Sequence, residues 1–311
     1  MITALLAGCA GQAPAQEEAE GQAVAPVEAT EESSVEEKEE ATTIIYAAES
    51  GDIEVPADPQ RIVVLDSSAA GAILMFDGDV VGHEVWTGGN PLFADYLKDS
   101  TEVAVDNMEQ VMALNPDLII TGSNNENIKE LSEIAPTVSF TYGKNTYLDA
   151  IIEYGKLVNK EAVAREWVVQ FQEKAQKAGA SFKEKYGEDV SISVMEGYGD
   201  EIYLYGDNWG RGTQIVYQEM GLVMPEAVKE VALTDGYYSI SAEVIPKYQA
   251  DLMVFAYFNG SNLAFMETET WKNLDAVKNE RVLKAQAESF YMTGPITLEY
   301  QLQELENFFL K

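Results

Sequence analysis

Trp209 and Arg211 stand two residues apart in the run Tyr205-Gly206-Asp207-Asn208-Trp209-Gly210-Arg211-Gly212. A guanidinium carries five N–H donors in a fixed fork, and an indole presents a large apolar face. These two side chains are the ones most enriched at binding hot spots. Upstream, Ile202 and Leu204 alternate with Tyr203 and Tyr205, as in a strand. The Gly, Asp and Asn that follow tolerate positive φ and break the strand into a loop. A helical stretch from Gln214 to Met220 comes next and stops at Gly221. A strand end with aromatic walls and one cation between glycines suits non-covalent capture of a ligand. The same residues would also serve as a β-turn whose Trp packs into the core.

Covalent and metal chemistry find little support elsewhere. The chain has one Cys and one His, so it can form no internal disulfide and no Cys cluster for zinc. His83 is the only base available to a Ser-His-Asp arrangement, and no Gly-x-Ser-x-Gly element accompanies it. His83-Glu84 lacks the second His of a zinc helix, and the glycine spacing from Gly206 to Gly212 fits no dinucleotide fingerprint. Carboxylates are abundant, but nothing marks out one pair for glycosidase-type chemistry. No catalytic residue, cofactor or direct metal ligand is therefore expected, and the chain reads as a binding protein rather than an enzyme. A net charge of −33 argues against nucleic acid and against an anionic membrane surface.

The elements that must position Trp209 and Arg211 start well downstream of the N-terminus. Leu6-Ala7-Gly8-Cys9 resembles the lipid-attachment signal of bacterial lipoproteins, with Cys9 as the lipidated residue, although no basic segment precedes it. Residues 10–42 hold ten Glu and one Lys and few large apolar side chains. Such a segment cannot bury enough surface to fold, and its charge extends it as a tether. From residue 43, strands and helices alternate. Ile62-Val63-Val64-Leu65 is a continuous apolar run suited to a parallel strand covered on both faces. Asp66, Ser67 and Ser68 can cap the helix that follows. Asp79 to Gly82 reads as a short strand, with His83 and Trp86 in the loop beyond it. Leu118-Ile119-Ile120 and Val138 to Phe140 are further strands. From Lys160 to Lys185, Ala164, Trp167, Val168, Phe171, Ala175, Ala178 and Phe182 form one apolar stripe. A helix of that length spans about 38 Å, enough to join two domains. The second half repeats the theme, with strands at Val190 to Met195, Ile202 to Tyr205 and Asp251 to Phe255. The chain ends in an amphipathic helix after Pro295.

The two halves also match in detail. Asn107-Met108-Glu109 precedes Asp117-Leu118, and Ser241-Ala242-Glu243 precedes Asp251-Leu252 at the same spacing. This predicts two lobes of like topology with Glu109 and Glu243 at equivalent places. Each Glu also suits the first turn of a helix, where the dipole favours a carboxylate.

The segments Pro59 to Leu65, Asn107 to Ile120, Tyr205 to Gly212, and Phe290-Tyr291 followed by Pro295 to Glu299 together resemble the iron-siderophore binding proteins of ABC importers. The nearest likeness is to the ferric-hydroxamate (ferrichrome-type) lipoproteins of single-membrane bacteria. The resemblance implies an α/β fold of two Rossmann-like lobes with mostly parallel sheets, joined by one long rigid helix: the class III periplasmic-binding-protein fold. With the signal remnant read at 1–9 and the linker at 10–42, it implies lobes at 43–158 and 187–311 and the joining helix at 159–186. Trp209 and Arg211 would face the cleft, with Arg211 donating to the metal-coordinating oxygens. Tyr203, Tyr291, Tyr142 and Trp86 would supply aromatic walls. Glu109 and Glu243 would meet arginines of the permease. The implied ligand is a ferric siderophore, hydroxamate or mixed type, and the implied partner an ABC permease with basic docking loops. The protein would be a monomer, held at the extracellular face of the cell membrane by lipid on Cys9. In a double-membrane bacterium that space is the periplasm. Haem or cobalamin as the ligand, with His83 as a haem contact, is an alternative, as is a surface enzyme or adhesion protein reusing the fold.

Overall fold

The computed structural model describes residues 42–311. Cys9 and the acidic segment through residue 41 lie outside the described residues. Strands β1 (Thr43–Ala48) and β2 (Gly51–Pro56) form an antiparallel hairpin at the start of the body. Five strands follow in the first lobe: β3 (Ile62–Leu65), β4 (Val80–His83), β5 (Thr101–Glu102), β6 (Leu118–Gly122) and β7 (Thr137–Phe140). They pair in the order β5-β4-β3-β6-β7, all parallel. Every residue of β3 is buried, as a strand covered by helices on both faces requires. The second sheet holds β8 (Ile192–Tyr198), β9 (Glu201–Tyr205), β10 (Tyr237–Ile240), β11 (Leu252–Tyr257) and β12 (Val282–Gln286) in the order β10-β9-β8-β11-β12. There β8, β11 and β12 are parallel, while β9 runs antiparallel to both of its neighbours.

The sequence correspondence between the halves has a structural counterpart. Strand β6 lies beside β3 with Leu118 opposite Ile62, and β11 lies beside β8 with Leu252 opposite Ile192. The Asp before each strand ties down the start of its neighbour. Asp117 accepts from the backbone N–H groups of Gln60 and Arg61 at 2.7 and 3.0 Å, and Asp251 accepts from that of Ser191 at 2.9 Å. The helices that precede these strands differ. Met108–Ala113 is α-helical and capped by the Asn107 side chain, whereas Ala242–Tyr248 is a 3₁₀ helix because Pro246 lies inside it.

A 26-residue helix, Glu161–Tyr186, connects the two sheets. Ala164, Val168, Phe171, Ala175, Ala178 and Phe182 are its buried face, as the spacing predicts. It packs on the first-lobe helix Tyr147–Leu157 and on both Gln214–Glu219 and the C-terminal helix Pro295–Phe309 of the second lobe. The C-terminal helix also reaches back to the first lobe. A Cβ added to Gly294 at its start would lie 2.8 Å from Gly71 Cα in the helix Ser67–Met75, so two backbones meet where only glycines fit. One buried apolar cluster runs without a break from Ile62 in the first sheet through Phe171 and Phe182 to Leu305 and Phe309.

Several elements differ from expectation. His83 is the last residue of β4 rather than part of a loop, because its backbone pairs with β3 and β5. The Gln214 helix is a wide turn with i→i−5 bonds, such as Met220 N–H to Ile215 O at 2.8 Å. The hairpin β1–β2, a separate two-stranded sheet, and β10, the edge of the second sheet, form without an apolar run to announce them.

Candidate functional site

The carboxyl ends of the parallel strands from both sheets converge on one cleft, the usual place for a ligand in an open α/β sheet. From the second lobe comes the loop after β9. Gly210, Arg211 and Gly212 all have positive φ, at 71°, 59° and 83°. A Cβ at Gly210 would collide with the carbonyl oxygen of Tyr291, so the loop can pass there only with glycine. Arg211 has no such freedom, and a left-handed conformation costs a non-glycine residue about 1 kcal/mol or more. What holds it is Glu196 in β8. Arg211 Nε donates to Glu196 Oε2 at 2.9 Å and Nη2 donates to Oε1 at 3.1 Å. Nη1 donates to the Trp209 carbonyl at 2.9 Å. Both charged groups are buried, Glu196 2% and Arg211 8% exposed. Burial works against the guanidinium charge, but Glu196 outweighs it and raises the Arg211 pKa. The five N–H donors of Arg211 therefore include three engaged within the protein and two left over among the described residues.

Aromatic rings enclose this pair. The Arg211 guanidinium lies 4.4 Å from the Tyr291 ring centre and 4.6 Å from that of Tyr205. Tyr205 also donates its hydroxyl to Glu196 at 2.9 Å, and burial, opposed by Arg211, pushes its pKa up. Trp86 comes from the first lobe and stacks on Tyr291 at 5.6 Å with 19° between planes. The turn that carries Trp86 is fixed by buried Glu84, whose carboxylate accepts from the N–H groups of Trp86 and Thr87 at 2.7 Å each. Trp209 meets Tyr142 of the first lobe edge-on at 5.2 Å and Tyr237 of β10 at 5.4 Å. Tyr203 meets Tyr237 at 6.0 Å. Phe258 and Tyr198 complete a cup of about 290 Å³ around Arg211.

The structure thus brings Tyr203, Trp209, Arg211, Tyr291 and Trp86 to one cup. Tyr142 stands at its edge and donates its hydroxyl to the Asn208 carbonyl of the opposite lobe at 3.2 Å. Beyond the cup lies a space of about 350 Å³ that shares Trp209, Arg211 and Tyr291 with it. Behind Tyr142 a further cavity of about 430 Å³ opens between the lobes. Among the described residues lining these three spaces, Arg211 is the one Lys or Arg. Arg61 instead binds the carbonyls of Leu114 and Asn115, and Arg165 pairs with Glu161. Glu109 and Glu243 are exposed in the first turns of their helices, away from the cup. His83 is buried, with Nδ1 2.8 Å from Ser100 Oγ, and lines none of the three spaces. Among the described residues no group of three or more His, Cys, Asp or Glu could hold a metal ion, and no helix is long and apolar enough to cross a membrane.

The sequence reading missed Glu196, Tyr237, Tyr198 and Phe258. Glu196 carried a signal, since a lone carboxylate in the apolar run Ile192 to Met195 and beyond needs a buried partner. The three aromatics carried none, because each lies at a strand end among many similar residues.

Comparison with known proteins agrees with this architecture. The family model described as "Periplasmic binding protein" matches residues 62–288. The chain is 35% identical over 275 residues to the iron(3+)-hydroxamate-binding protein FhuD of Bacillus subtilis, covering 85% of each chain. It is 34% identical over 288 residues to the iron(3+)-hydroxamate-binding protein YxeB of the same organism, covering 89% of this chain and 88% of YxeB. The solved structure of FhuD2 from Staphylococcus aureus with bound ferrioxamine B superposes with a TM-score of 0.76 at 29% identity, covering 81% of this chain and 98% of that one. The family and these relatives are binding proteins. A match that runs from the first residue of β3 to just beyond β12 makes this chain a member of the periplasmic binding protein family.

Proposed function

We propose that this chain captures a ferric siderophore of hydroxamate or mixed type in the cleft between its lobes and delivers it to an ABC permease for iron uptake. The observation that carries this reading is the Arg211–Glu196 pair inside the aromatic cup. A ferric tris-hydroxamate is neutral overall, with polarised oxygens around the metal and an organic periphery. The two remaining N–H donors of Arg211 suit those oxygens, and the rings of Trp86, Trp209, Tyr203 and Tyr291 suit the periphery. Because Glu196 balances Arg211, the cup carries no surplus positive charge for a strongly anionic catecholate or citrate complex. The names of the B. subtilis relatives and the ligand of the S. aureus protein point the same way. The siderophore fills the coordination sphere of iron, so the protein needs no metal ligand of its own. Glu109 and Glu243 would dock on basic permease loops, and lipid on Cys9 would hold the protein, as a monomer, at the outer face of the membrane.

The test is titration of the purified protein with ferric siderophores while Trp emission and thermal unfolding are followed. A ferric hydroxamate should quench emission and raise Tm. Trp209→Ala and Arg211→Ala should each weaken binding at least about tenfold, the loss expected for a buried aromatic or a charge-assisted bond. Failure of every ferric hydroxamate to quench or stabilise the protein would overturn the reading, and full affinity in both variants would move the site elsewhere.

A further inference from the structure

The cleft is continuous but chemically divided. The cup around Arg211 and the space beyond it share Trp209, Arg211 and Tyr291. That space in turn shares Ser68, Asn124, Tyr142 and Thr293 with the cavity of about 430 Å³ behind Tyr142. The aromatic half is electrically balanced by Glu196. The far half is different. Among the described residues lining it, Asp66 is the only Asp, Glu, Lys or Arg, set among the amides of Asn124, Asn145, Asn208 and Gln214. Asp66 caps the helix Ser67–Met75 through Oδ1, which accepts from Ser68 N–H at 2.9 Å. The Ser68 hydroxyl also acts on this carboxylate, but no Lys or Arg among the described residues pairs with it. A carboxylate in a polar interlobe cavity with no cation near it is an unbalanced charge, and burial raises its pKa.

We infer that the cavity behind Tyr142 is a second subsite that takes the ammonium-bearing arm of a linear ferric hydroxamate, with Asp66 as its counter-ion. The inference rests on the proposed function, since the iron-bearing end of the ligand must sit at Arg211. The geometry fits one elongated ligand. Tyr142 stands between the two halves, edge-on to Trp209 on one side and lining the Asp66 cavity on the other. A ligand spanning them would present its neutral chelate to the aromatic cup and its positive arm to Asp66, with the buried carboxylate of Glu84 adding to the negative charge there. The amide groups around Asp66 would satisfy the remaining ammonium protons.

The experiment compares two ligands on two proteins. The ligands are a linear ferric tris-hydroxamate with a free terminal amine and the same compound N-acetylated. The proteins are the wild type and Asp66→Asn, which keeps an equally good helix cap and so spares the fold. The wild type should prefer the amine ligand, and Asp66→Asn should cost that ligand about tenfold or more, the usual loss for one charge-assisted pair. The acetylated ligand should bind both proteins within about twofold, which also shows that the variant is folded. Equal binding of both ligands to both proteins overturns the subsite while leaving the proposed function intact. If neither ligand binds the wild type while another ferric hydroxamate does, the subsite fails alone; if no ferric hydroxamate binds, the proposed function fails and the subsite with it.

Discussion

Replacing Glu196 with Gln should both destabilise the protein and change what it prefers to bind. Glu196 Oε2 accepts from Arg211 Nε, and Oε1 accepts from Arg211 Nη2 and from the Tyr205 hydroxyl. Gln supplies only one acceptor oxygen, so its NH₂ must face a donor whichever way the amide is turned. Arg211 would then keep its charge while buried and without a counter-ion. Breaking such a pair from one side costs about 3–5 kcal/mol. For a body of this size each kcal/mol lowers Tm by about 2–4 °C, so a fall of about 10 °C is expected. The binding change follows from charge. Removing Glu196 leaves the cup with a net positive charge. At an effective dielectric of about 20 and a separation of about 8 Å, that is worth about 2 kcal/mol per unit of ligand charge. Allowing for solvent at the cleft mouth, the affinity ratio of an anionic ferric citrate to a neutral ferric hydroxamate should rise at least about tenfold. Thermal unfolding gives the first quantity and Trp-emission titration with the two chelates gives the second. A variant that melts within about 2 °C of the wild type and keeps the same affinity ratio would refute the role assigned to the pair.

Other perturbations test other parts of the molecule. Burial holds the His83 imidazole below its ordinary pKa of 6.5, against the pull of Glu102 and Glu84. The unfolded chain therefore takes up the proton first, and the stability His83 contributes is complete above about pH 6.5 and is lost as pH falls through its folded pKa. His83→Gln should flatten the Tm–pH curve in that acidic window, and superimposable curves would contradict the assignment. Gly294→Ala places a Cβ 2.8 Å from Gly71 Cα and should cost about 1–3 kcal/mol, read as a lower urea midpoint. An unshifted midpoint would mean that the two helices part without penalty. Glu109→Ala and Glu243→Ala should leave ligand affinity within about twofold, since neither lines the cleft, while lowering iron uptake by cells. A loss of ligand affinity in either would show that these carboxylates serve the cleft instead.

The parts of the fold written in local patterns were legible. β3 and β6 are apolar runs with one meaning, and the long helix carries a stripe that fits no other element. The repeated Asp-Leu openings could be read as matched strands because each Asp does the same local job, holding the backbone of the neighbouring strand. The glycines around Arg211 announced a strained loop, and all three residues of that loop are left-handed. What escaped was set by distant partners. Strand β10 exists because β9 needs an edge, and nothing in Tyr237-Tyr238-Ser239-Ile240 says so alone. Arg211 was expected to give its hydrogen bonds to a ligand, yet three of the five go to Glu196 and to the Trp209 carbonyl. The missing information was that Glu196 in β8 and Arg211 in the loop after β9, fifteen residues apart, meet in the fold.

The unbroken core from Ile62 to Phe309, clamped where Gly71 meets Gly294, has a consequence for delivery under the proposed function. A receptor whose halves share one interior has few shapes to choose between, so loaded and empty copies would offer the permease nearly the same docking face. A ligand shifts a conformational equilibrium only by its differential affinity for the two states, and separating the halves would have to open this shared core. Empty receptors should therefore compete with loaded ones for the same permease. Uptake would depend on the fraction of receptors filled, and surplus receptor at scarce ligand would slow import rather than speed it.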